Sequence, residues 1–527
     1  MSSVPGLPRL FLDYCAGADG VRPYYGALPQ DSGWRRRPPL PGHWSELVAE
    51  LAAQNQGRAA ATALEALGNG AGVVVTGQQV GLFGGPLYTP YKAATALARA
   101  RQATQAGQAH AAIFWLATED HDFAEINHVT FPGRRELRRL AYEAEPETAR
   151  PVGGVVLGEA ITPLLEQAWE LLGHSDAMEA LAEAYKPGRT FAQAFAEFYG
   201  KVFAAQGLLL LDAGGRAVHR MGAPVLRAGL ERADELHAAL LERNAALEAA
   251  GYHAQVAVGA ESSLLFLMEE KTGARLALKR ETPGAAEPKG LWQSGRQSYS
   301  TDELVGILES EPERISPSAL LRPVFQDFLL STSLMIGGPS EIAYLAQSAV
   351  LFERVLGRPT PVQPRMSATL VEPPIGELLH RHELSPERIF TEDEQSLAQL
   401  LAARAMPVEG KRRLAAAGKA LDAELTPLLE WMQTVDEGLG RSAETAANKM
   451  RYQMNRLRQM AANFQMQKEE SLKRHAQAIV QALHPEGVLQ ERLLGAAYYL
   501  ARYGIELAET LTAQAASPCT GHKAIWL

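Results

Sequence analysis

The stretch GVVVTGQQVGLFGGPLYTPYKAATALARARQ, residues 72–102, holds a strand, a loop and a helix in one continuous segment. The run VVV at 73–75 is β-branched, which is typical of a buried strand, and a glycine-rich loop and an alanine-rich helix follow it. The segment AAIFWLATEDHDFAEINH, residues 111–128, repeats the order with an apolar strand that ends in polar residues. Strands separated by a helix of this length predict a parallel α/β sheet.

Further segments continue the alternation of strands and helices toward the C-terminus. Residues 140–200 are predicted to be helical, and three closely spaced β-like runs indicate a small antiparallel insertion at about residues 250–300. A helix, a strand, a glycine turn and another helix recur over residues 322–347. The three β-like runs are HAQVAVG, SLLFLME and ARLALK within residues 253–279, and other strands are expected at 208–211 and near 361–363. Residues 1–385 are therefore predicted to form an α/β core with insertions.

Beyond about residue 385 the strand pattern stops, and apolar residues recur every seven positions in two successive segments. Residues 422–437 contain five acids and no base, whereas residues 449–468 contain five bases and no acid. Two such segments joined by the turn DEGLG at 436–440 predict an antiparallel helical hairpin, in which Pro427 should bend the first helix. The first apolar seam comprises Leu414, Leu421, Leu425, Leu428, Met432, Val435 and Leu439, and the second comprises Met450, Gln453, Leu457, Met460 and Phe464.

Composition excludes several classes of function. The chain has 527 residues, of which 46% are hydrophobic and 21% charged, so it is globular, with a length typical of roughly three to four domains. The formal charge of −9 argues against nucleic acid or an anionic membrane as a partner. No stretch approaches the ~18 apolar residues that cross a bilayer, and the N-terminus shows no secretion signal. Two cysteines, Cys15 and Cys519, offer neither a disulfide framework nor a CxxC zinc site, so we expect a cytoplasmic protein.

The sharpest functional signal is the loop after the first strand, residues 76–92. It lies at the carboxyl end of the strand, where open α/β sheets bind ligands, and its glycines allow a ligand to approach the backbone. Thr89 and Pro90 are typical of a helix N-cap and first helical residue, so Lys92 could neutralise a phosphate or carboxylate there. The spacing fits neither a P-loop nor a dinucleotide fingerprint, and a glycine-rich connection without a ligand is the alternative. The candidate binding residues are Thr76, Gln78, Gln79, Gly84, Gly85, Tyr88 and Lys92.

The second signal is the run Glu119-Asp120-His121-Asp122 at the end of the next strand. Three carboxylates around one imidazole favour a general base or a site for an ammonium group. We therefore take all four residues as candidate catalytic residues, with His121 as the base. Asp120 and Asp122 could instead hold Mg²⁺ beside a nucleotide.

A structural role competes for part of this segment. Asp122 and Glu125 have capping-box spacing, which predicts that Asp122 caps a helix. Asn127 and His128 follow one turn later, where a binding role and a structural role fit equally well. Asn127 is included among the candidate binding residues.

The third signal is the run GGPSE at residues 337–341, where a glycine turn and a proline precede a helix. This arrangement predicts a helix N-terminus that accepts an anion, although a plain strand–helix turn would look the same. Two polar residues on the preceding helix could reach the same pocket, or could be solvated. The candidate binding residues from these segments are Arg322, Gln326, Gly338, Ser340 and Glu341.

Two short segments resemble signatures of class I aminoacyl-tRNA synthetases and related nucleotidylyl transferases. GPLYTPYKA at 85–93 is similar in layout to their GPLHIGHA stretch, with Tyr88 and Tyr91 in place of the histidines. RMSAT at 365–369 is similar to KMSKS, with Ala368 in place of the second lysine, and adds Arg365 and Ser367 to the candidate binding residues. Because phosphate-stabilising side chains are missing, the match puts ordinary adenylate chemistry in doubt.

Longer segments, in order along almost the whole chain, resemble the BshC family, the cysteine-adding enzymes of bacillithiol biosynthesis. They are VVTGQQVGLFGGPLYTPYKA, FWLATEDHDFAEINHV, GYHAQV, RPVFQDFLL, GGPSEIAYLAQ and LQERLLGAAYYLARYG. The resemblance implies a Rossmann-like catalytic core, here residues 1–385, with connecting insertions. It also implies a helical coiled-coil region associated with dimerisation, here the hairpin of residues 386–480, before a C-terminal segment, 481–527, that packs back on the core. The implied reaction joins the carboxyl group of cysteine to the glucosamine amine of glucosaminyl-malate.

The implied chemistry can be matched to the candidate residues. Amide formation from a free carboxylate needs activation, for which we expect ATP, with Mg²⁺ as an accompanying ion. The carboxylates of residues 119–122 suit an ammonium group, and Lys92 and Arg322 suit malate or phosphate anions. Two alternatives to a cysteine ligase stay open: a nucleotidylyl transferase acting on a sugar or small acid, and a non-catalytic scaffold in which the coiled coil dominates. The polar residues at two strand ends argue against the scaffold.

Overall fold

The computed structural model describes residues 6–29, 31, 33–133, 136–144, 146, 148–280, 291–468, 470–517 and 521–527. The described chain forms two compact units. Unit 1 consists of Met1–Ala368 and Glu491–Lys523, and unit 2 consists of Thr369–Gln490 and Ala524–Leu527. The chain thus leaves unit 1 after residue 368 rather than at 385. Cys519 and residues 281–290 of the predicted insertion lie outside the described residues.

Fifteen strands are assigned in the described chain. They are β1 (Gly72–Gln78), β2 (His110–Leu116), β3 (His128–Pro132), β4 (Leu137–Ala141), β5 (Leu209–Asp212), β6 (Leu265–Met268), β7 (Arg275–Ala277), β8 (Lys279–Arg280), β9 (Leu291–Ser294), β10 (Gln297–Ser300), β11 (Ile315–Pro317), β12 (Thr332–Gly337), β13 (Val362–Pro364), β14 (Ser367–Val371) and β15 (His522–Trp526).

Helices account for most of the remaining described residues. In unit 1 they are α1 (Arg9–Ala16), α2 (Trp44–Gln54), α3 (Ala61–Gly68), α4 (Tyr88–Gln105), α5 (Phe123–Ile126), α6 (Ile161–Leu172), α7 (Asp176–Ala184), α8 (Phe191–Val202), α9 (Arg216–Glu231), α10 (Ala233–Ala249), α11 (Thr301–Ser310), α12 (Arg322–Leu330) and α13 (Pro339–Leu356). The chain continues through α14 (Pro373–Arg381), α15 (Pro386–Ile389), α16 (Glu394–Ala405), α17 (Val408–Val435), α18 (Glu437–Lys468), α19 (Glu470–Leu483), α20 (Gln490–Leu493), α21 (Ala496–Tyr503) and α22 (Leu507–Ala516).

The central sheet of unit 1 is parallel, with the strand order β13–β12–β1–β2–β5. The chain builds β1, β2 and β5 in one direction and then crosses to the other side of β1 for β12 and β13. The direction therefore reverses between β1 and β12, and ligands of open α/β sheets bind at such a point, beyond the carboxyl ends of the strands. Val73, Val74 and Val75 are fully buried, as expected for a strand covered on both faces. The predicted α/β fold with a Rossmann-like parallel core is confirmed.

The insertions of unit 1 differ in part from the prediction. The runs SLLFLME and ARLALK contain β6 and β7, which pair antiparallel, and β11 joins the outer side of β6. The first run, HAQVAVG, was expected to be a strand and is instead a loop. The helical prediction for residues 140–200 holds from α6 onward, after the antiparallel pair of β3 and β4.

Unit 2 contains the predicted antiparallel hairpin, formed by α17 and α18. Only Asp436 separates the two helices, so the turn is shorter than the expected 436–440. Its side chain accepts a hydrogen bond from the backbone N–H of Leu439 at 2.8 Å. Arg451 of α18 pairs with Asp422 of α17 at 3.0 Å, which confirms both the antiparallel direction and the charge pairing. Pro427 lies inside α17, which is assigned as one continuous helix.

The second apolar seam lies largely on the outside of the hairpin. Alanines such as Ala447 are buried on α18, whereas Leu457 is 53% exposed and Phe464 is 68% exposed. Small side chains let the two helices approach closely, so the larger apolar residues lie outside the hairpin. Among the described residues, no helix is both long enough and apolar enough to cross a membrane.

Candidate active site

A cavity of about 440 Å³ opens in unit 1 at the carboxyl ends of β1, β2 and β12, where the strand order reverses. All three sequence signals contribute residues to it, because the carboxyl ends of parallel strands meet at one edge of the sheet. The predicted candidates that line this cavity, called here the switch-point cavity, are Gln78, Gln79, Tyr88, Lys92, Glu119, Asp120, His121, Arg322, Gly338, Ser340, Glu341 and Arg365.

Lys92 is almost fully buried at the base of the switch-point cavity. Its ammonium group contacts the carbonyl oxygen of Gly77 at 2.7 Å, Oε1 of Gln78 at 2.9 Å and Oε2 of Glu341 at 2.5 Å. An ammonium group has three donors, and all three are used in these contacts. Lys92 therefore holds β1 and α13 together, and the expected direct role in binding an anion is not supported by this geometry.

Glu341 is the carboxylate of this ion pair. Burial alone would raise its pKa, but Lys92 and Arg322 outweigh burial and hold the pKa of Glu341 below its usual value. The same carboxylate accepts a hydrogen bond from the backbone N–H of Gly338 at 2.8 Å. That donor at the start of α13, which was expected to face an anion, is therefore already occupied.

Two arginines line the cavity on the side of β12 and β13. Arg322 donates to the hydroxyl of Tyr344 at 2.6 Å, lies 4.0 Å from Glu341, and its guanidinium makes no other hydrogen bond among the described residues. Arg365 donates Nη2 to Glu491 and Nη1 to the carbonyl of Met366, both at 2.8 Å. Its Nε is buried and has no hydrogen-bond partner among the described residues. A buried donor without a partner is costly, so an acceptor on a ligand would stabilise it.

Carboxylates form the opposite side of the cavity. Nε2 of Gln79 donates to Asp120 at 2.9 Å and to Glu125 at 2.7 Å, and so holds the two side chains together. Burial alone would raise the pKa of Asp120, but the Gln79 amide and the backbone N–H groups of His121 and Asp122 lower it. Burial and the two neighbouring aspartates raise the pKa of Glu125. This side of the cavity suits an ammonium group.

The contacts of His121 fix its tautomer. Nη1 of Arg275 lies 3.2 Å from Nδ1 of His121, and a guanidinium can only donate, so Nδ1 is the acceptor. Asp120 is farther from Nδ1, at 3.8 Å. The proton of the neutral ring therefore sits on Nε2, which is the remaining ring nitrogen. In this state His121 donates a hydrogen bond, whereas the predicted general base would need a free lone pair there.

Three of the predicted site residues serve the strands and helices around the cavity. The hydroxyl of Thr76 donates to the carbonyl of Ile336 at 3.0 Å and links β1 to β12. Asp122 caps α5 by accepting from the backbone N–H of Glu125 at 3.1 Å, as the capping-box spacing predicted. Asn127 donates to the carbonyl of Tyr142 at 3.3 Å.

The other four predicted residues that do not line the cavity are Gly84, Gly85, Gln326 and Ser367. Gly84 and Gly85 have φ of +83° and +69°, a backbone conformation that favours glycine. The backbone N–H of Gly84 donates to the Tyr185 hydroxyl, and its carbonyl accepts from the Tyr199 hydroxyl. Gln326 is buried within α12. The Ser367 hydroxyl bonds to Glu491 at 3.0 Å and to His522 at 2.7 Å.

The expected cap of α4 was also wrong in position. The helix begins at Tyr88, so Thr89 is already inside it, and Tyr91 is buried away from the cavity lining. Tyr88 does line the cavity, and burial raises its pKa to about 12, which keeps its hydroxyl protonated.

Residues that the sequence signals missed complete the cavity. Arg275 comes from β7 of the antiparallel insertion, and its guanidinium lies 3.8 Å from the Phe266 ring centroid. Arg492 comes from α20, and Glu125 had been considered only as part of a helix cap. Arg492 lies in LQERLLGAAYYLARYG, one of the segments that resemble the BshC family, and this resemblance is the signal in the sequence that could have found it.

Within the described chain, no group of three or more His, Cys, Asp or Glu side chains converges in an arrangement able to hold a metal ion. The two aspartates considered for Mg²⁺ are bound by Gln79, backbone N–H groups and the α5 N-terminus.

Comparison with known proteins agrees with this architecture. Residues 3–366 match the family described as "Bacillithiol biosynthesis BshC, N-terminal Rossmann-like domain", and residues 368–527 match "Bacillithiol biosynthesis BshC, C-terminal coiled-coil domain". A relative from Koribacter versatilis is 39% identical over 100% of this chain and 98% of its own length. One from Solibacter usitatus is 33% identical over 99% of this chain and 98% of its own. Both bear the name "Putative cysteine ligase BshC". The chain thus belongs to the BshC family of bacillithiol biosynthesis.

Proposed function

We propose that this protein is a ligase that joins L-cysteine to glucosaminyl-malate through an amide bond, with ATP activating the carboxylate. The names of its relatives support a cysteine ligase. The observation that carries the proposal is the presence of both cationic and anionic side chains around the switch-point cavity. Arg322 and Arg365 approach from the side of β12 and β13, and Asp120 and Glu125 approach from the side of β2. Arg275 and Arg492 add cations beside these carboxylates.

Cationic and anionic groups in one cavity fit both substrates. Glucosaminyl-malate carries two carboxylates on its malate group and an ammonium on its sugar, and cysteine carries one group of each sign. Arg322, with donors available, and Arg365, with its unpartnered Nε, suit the carboxylates. The paired carboxylates of Asp120 and Glu125 suit the ammonium.

The same donors fit a nucleotide phosphate. When bound, ATP would supply the leaving group that turns the carboxylate of cysteine into an acylating agent. Arg322 and the Nε of Arg365 would orient the anionic group, and Tyr88 would donate its hydroxyl hydrogen bond. Mg²⁺ would enter with the nucleotide, because its usual sites use substrate phosphates and few protein ligands. We place the reaction in the cytoplasm, since the chain has only two cysteines and Cys15 is a buried free thiol.

Mass spectrometry on the purified protein with glucosaminyl-malate, cysteine and ATP tests this function. We expect the amide product together with AMP or ADP, and its loss when any one substrate is omitted. A nucleotidylated sugar or acid with free pyrophosphate would instead show nucleotidylyl transfer and contradict the proposal. Amide formation without ATP would contradict only the energy source.

We also propose that the protein is a homodimer through the hairpin of α17 and α18. Leu457, Met460 and Phe464 expose most of their side chains on α18, and Trp431 and Val435 do so on α17. Exposed apolar patches of this size typically mark protein–protein contacts. A second copy of the chain would cover them, because a seven-residue apolar repeat pairs with a like repeat.

A further inference from the structure

A second cavity lies beside the switch-point cavity in unit 1. It has a volume of about 630 Å³ and opens over the carboxyl ends of β2 and β5. Glu119 and Arg275 line both cavities and thus form the wall between them. A condensation brings two ligands to within about 3–3.5 Å of each other at the reacting atoms, so side chains at such a junction are well placed to act on both.

His219 on α9 lies behind Glu119. It is fully buried and lines neither cavity. Nε2 of His219 is 2.9 Å from Oε1 of Glu119, and Nδ1 is 3.0 Å from the carbonyl oxygen of Ile315. A carbonyl only accepts, so Nδ1 carries a proton and donates it to Ile315. Nε2 is buried and has no aligned hydrogen-bond partner among the described residues. Without a proton between them, its lone pair and the carboxylate repel each other. The proton-free pair is therefore the basic form, and it is stabilised by taking up one proton.

We propose that Glu119 is the general base of the ligation and that His219 is the positioning residue that holds the proton Glu119 receives. The inference rests on the function proposed above. The sugar ammonium first loses one proton to solvent, which frees the lone pair of its nitrogen. That nitrogen forms a bond to the carbonyl carbon of the activated cysteine. The bond from this carbon to the phosphate or AMP leaving group breaks, and the leaving group departs with the electron pair. The second proton on nitrogen passes to Glu119 of the proton-free pair and is then held between Glu119 and Nε2 of His219.

The surroundings favour this role for the pair. Burial alone would lower the pKa of His219, but the adjacent Glu119 carboxylate outweighs burial and raises it above the usual value. A base works best when its pKa lies near the working pH, and a raised histidine pKa moves in that direction. The charged groups around the pair are Arg275 from β7 and Asp212 at the end of β5, and Asp120 after β2 lies near Arg275. On the remaining side the ring of Phe325 packs 5.5 Å from the His219 ring.

Substitution of His219 by glutamine tests the positioning role. The glutamine amide donates a hydrogen bond to Glu119 but cannot take up a proton. We expect His219→Gln to lower kcat by about 10- to 100-fold, to leave KM within about threefold, and to move the acid limb of the kcat–pH profile to lower pH. Glu119→Gln should lose about 10²–10⁴-fold in kcat. A fall in kcat with an unmoved acid limb would show that His219 is merely structural and would overturn the proposal.

His110→Gln is the matched control for loss of a buried histidine. His110 lies at the amino end of β2, and its Nδ1 contacts the carbonyl of Gln108 at 2.8 Å, but it faces neither cavity. We expect this variant to keep the wild-type acid limb. A shift of equal size in both variants would contradict a specific role for His219.

A second readout does not depend on ligase activity. In full-length protein with ¹³C-labelled histidine, NMR titration should show the His219 ring titrating above the usual histidine range in the wild type and below it in Glu119→Gln. An unchanged His219 titration in Glu119→Gln would overturn the proposal even if the ligation is confirmed. Failure of the wild type to form the amide would overturn the proposed function and, with it, the assignment of Glu119 as base.

Discussion

The switch-point cavity and the α17–α18 hairpin depart from the usual distribution of residues in opposite directions. Around the cavity charged side chains are buried, as in the pair of Lys92 and Glu341, whereas on the hairpin large apolar side chains such as Leu457 and Phe464 are exposed. Buried charges and exposed apolar surface both lower stability unless something compensates them. In the cavity the buried charges of Lys92 and Glu341 compensate each other inside unit 1. On the hairpin the described part of the chain leaves the large apolar side chains exposed, so the two regions predict different kinds of function.

The largest expected effect follows from breaking the buried pair at the base of the cavity. Lys92→Met keeps the side-chain volume but removes the nearer of the two cations beside Glu341 and leaves only Arg322, at 4.0 Å. We expect it to lower the free energy of unfolding by up to about 3–5 kcal/mol, measured by urea denaturation, because it breaks a buried ion pair. Glu341→Gln in the same background should restore part of that loss, since both charges are then gone.

If Lys92 instead held a ligand anion, its removal would behave differently. The variant would keep near wild-type stability and would lose affinity for ATP or glucosaminyl-malate in isothermal titration. That result would contradict the structural role.

The exposed face of the hairpin predicts the next largest effect. Leu457→Glu combined with Phe464→Glu should convert a dimer into a monomer in light scattering, because two carboxylates per chain would be buried in the interface. The control is Asn448→Asp with Gln459→Glu, two exposed positions about half a turn around α18 from Leu457. The control should stay dimeric with the same added charge.

Circular dichroism separates the other outcomes for the hairpin variants. A Leu457→Glu, Phe464→Glu variant that is folded and still dimeric would place the interface elsewhere. One that loses its helical signal would show that this face packs within the chain.

Much of the fold was predictable because it depends on local patterns. The VVV run at 73–75, the polar residues that end β1 and β2, and the heptads of α17 each lie in one short segment. Which residues of α18 face α17 was not predictable. The contact depends on Ala447 and its neighbours, whose small side chains give only a weak hydrophobic pattern. The site was predicted where its residues follow β1, β2, β12 and β13, and at Arg322 at the start of α12.

The remaining site residues come from distant parts of the chain. Arg275 lies in a three-residue strand, and Glu491 and Arg492 return from the C-terminal segment. His219 is a single polar residue on the buried face of α9, where a pattern predicts only core packing. Their functions depend on long-range contacts that no spacing rule describes.

The pH dependence of stability sharpens the contrast among buried groups. The pKa of His219 is raised in the folded protein, so its stabilising contribution is complete below the unfolded value of about 6.5 and is lost as the pH rises through the folded value. His219→Gln should therefore be more destabilising at pH 5.5 than at pH 8.5. Burial lowers the pKa of His110, so His110→Gln should show the opposite trend. Urea unfolding at the two pH values measures the free energy of unfolding of both variants. An equal loss for His219→Gln at pH 5.5 and pH 8.5 would contradict the raised pKa of His219.

We expect the smallest effect at His121, which the sequence predicted to be the general base. In the structure Nδ1 of His121 accepts from Arg275 and Nε2 is left as a donor. Asparagine reproduces both contacts, because its Oδ1 can accept from Arg275 while its Nδ2 donates toward the cavity. His121→Asn should therefore lower kcat by less than about tenfold, the scale of one hydrogen bond, and should keep the acid limb of the pH profile. A general base would lose about 10²–10⁴-fold together with that limb. Because asparagine cannot titrate, a loss of that size would return the base to His121 and remove Glu119 from the role.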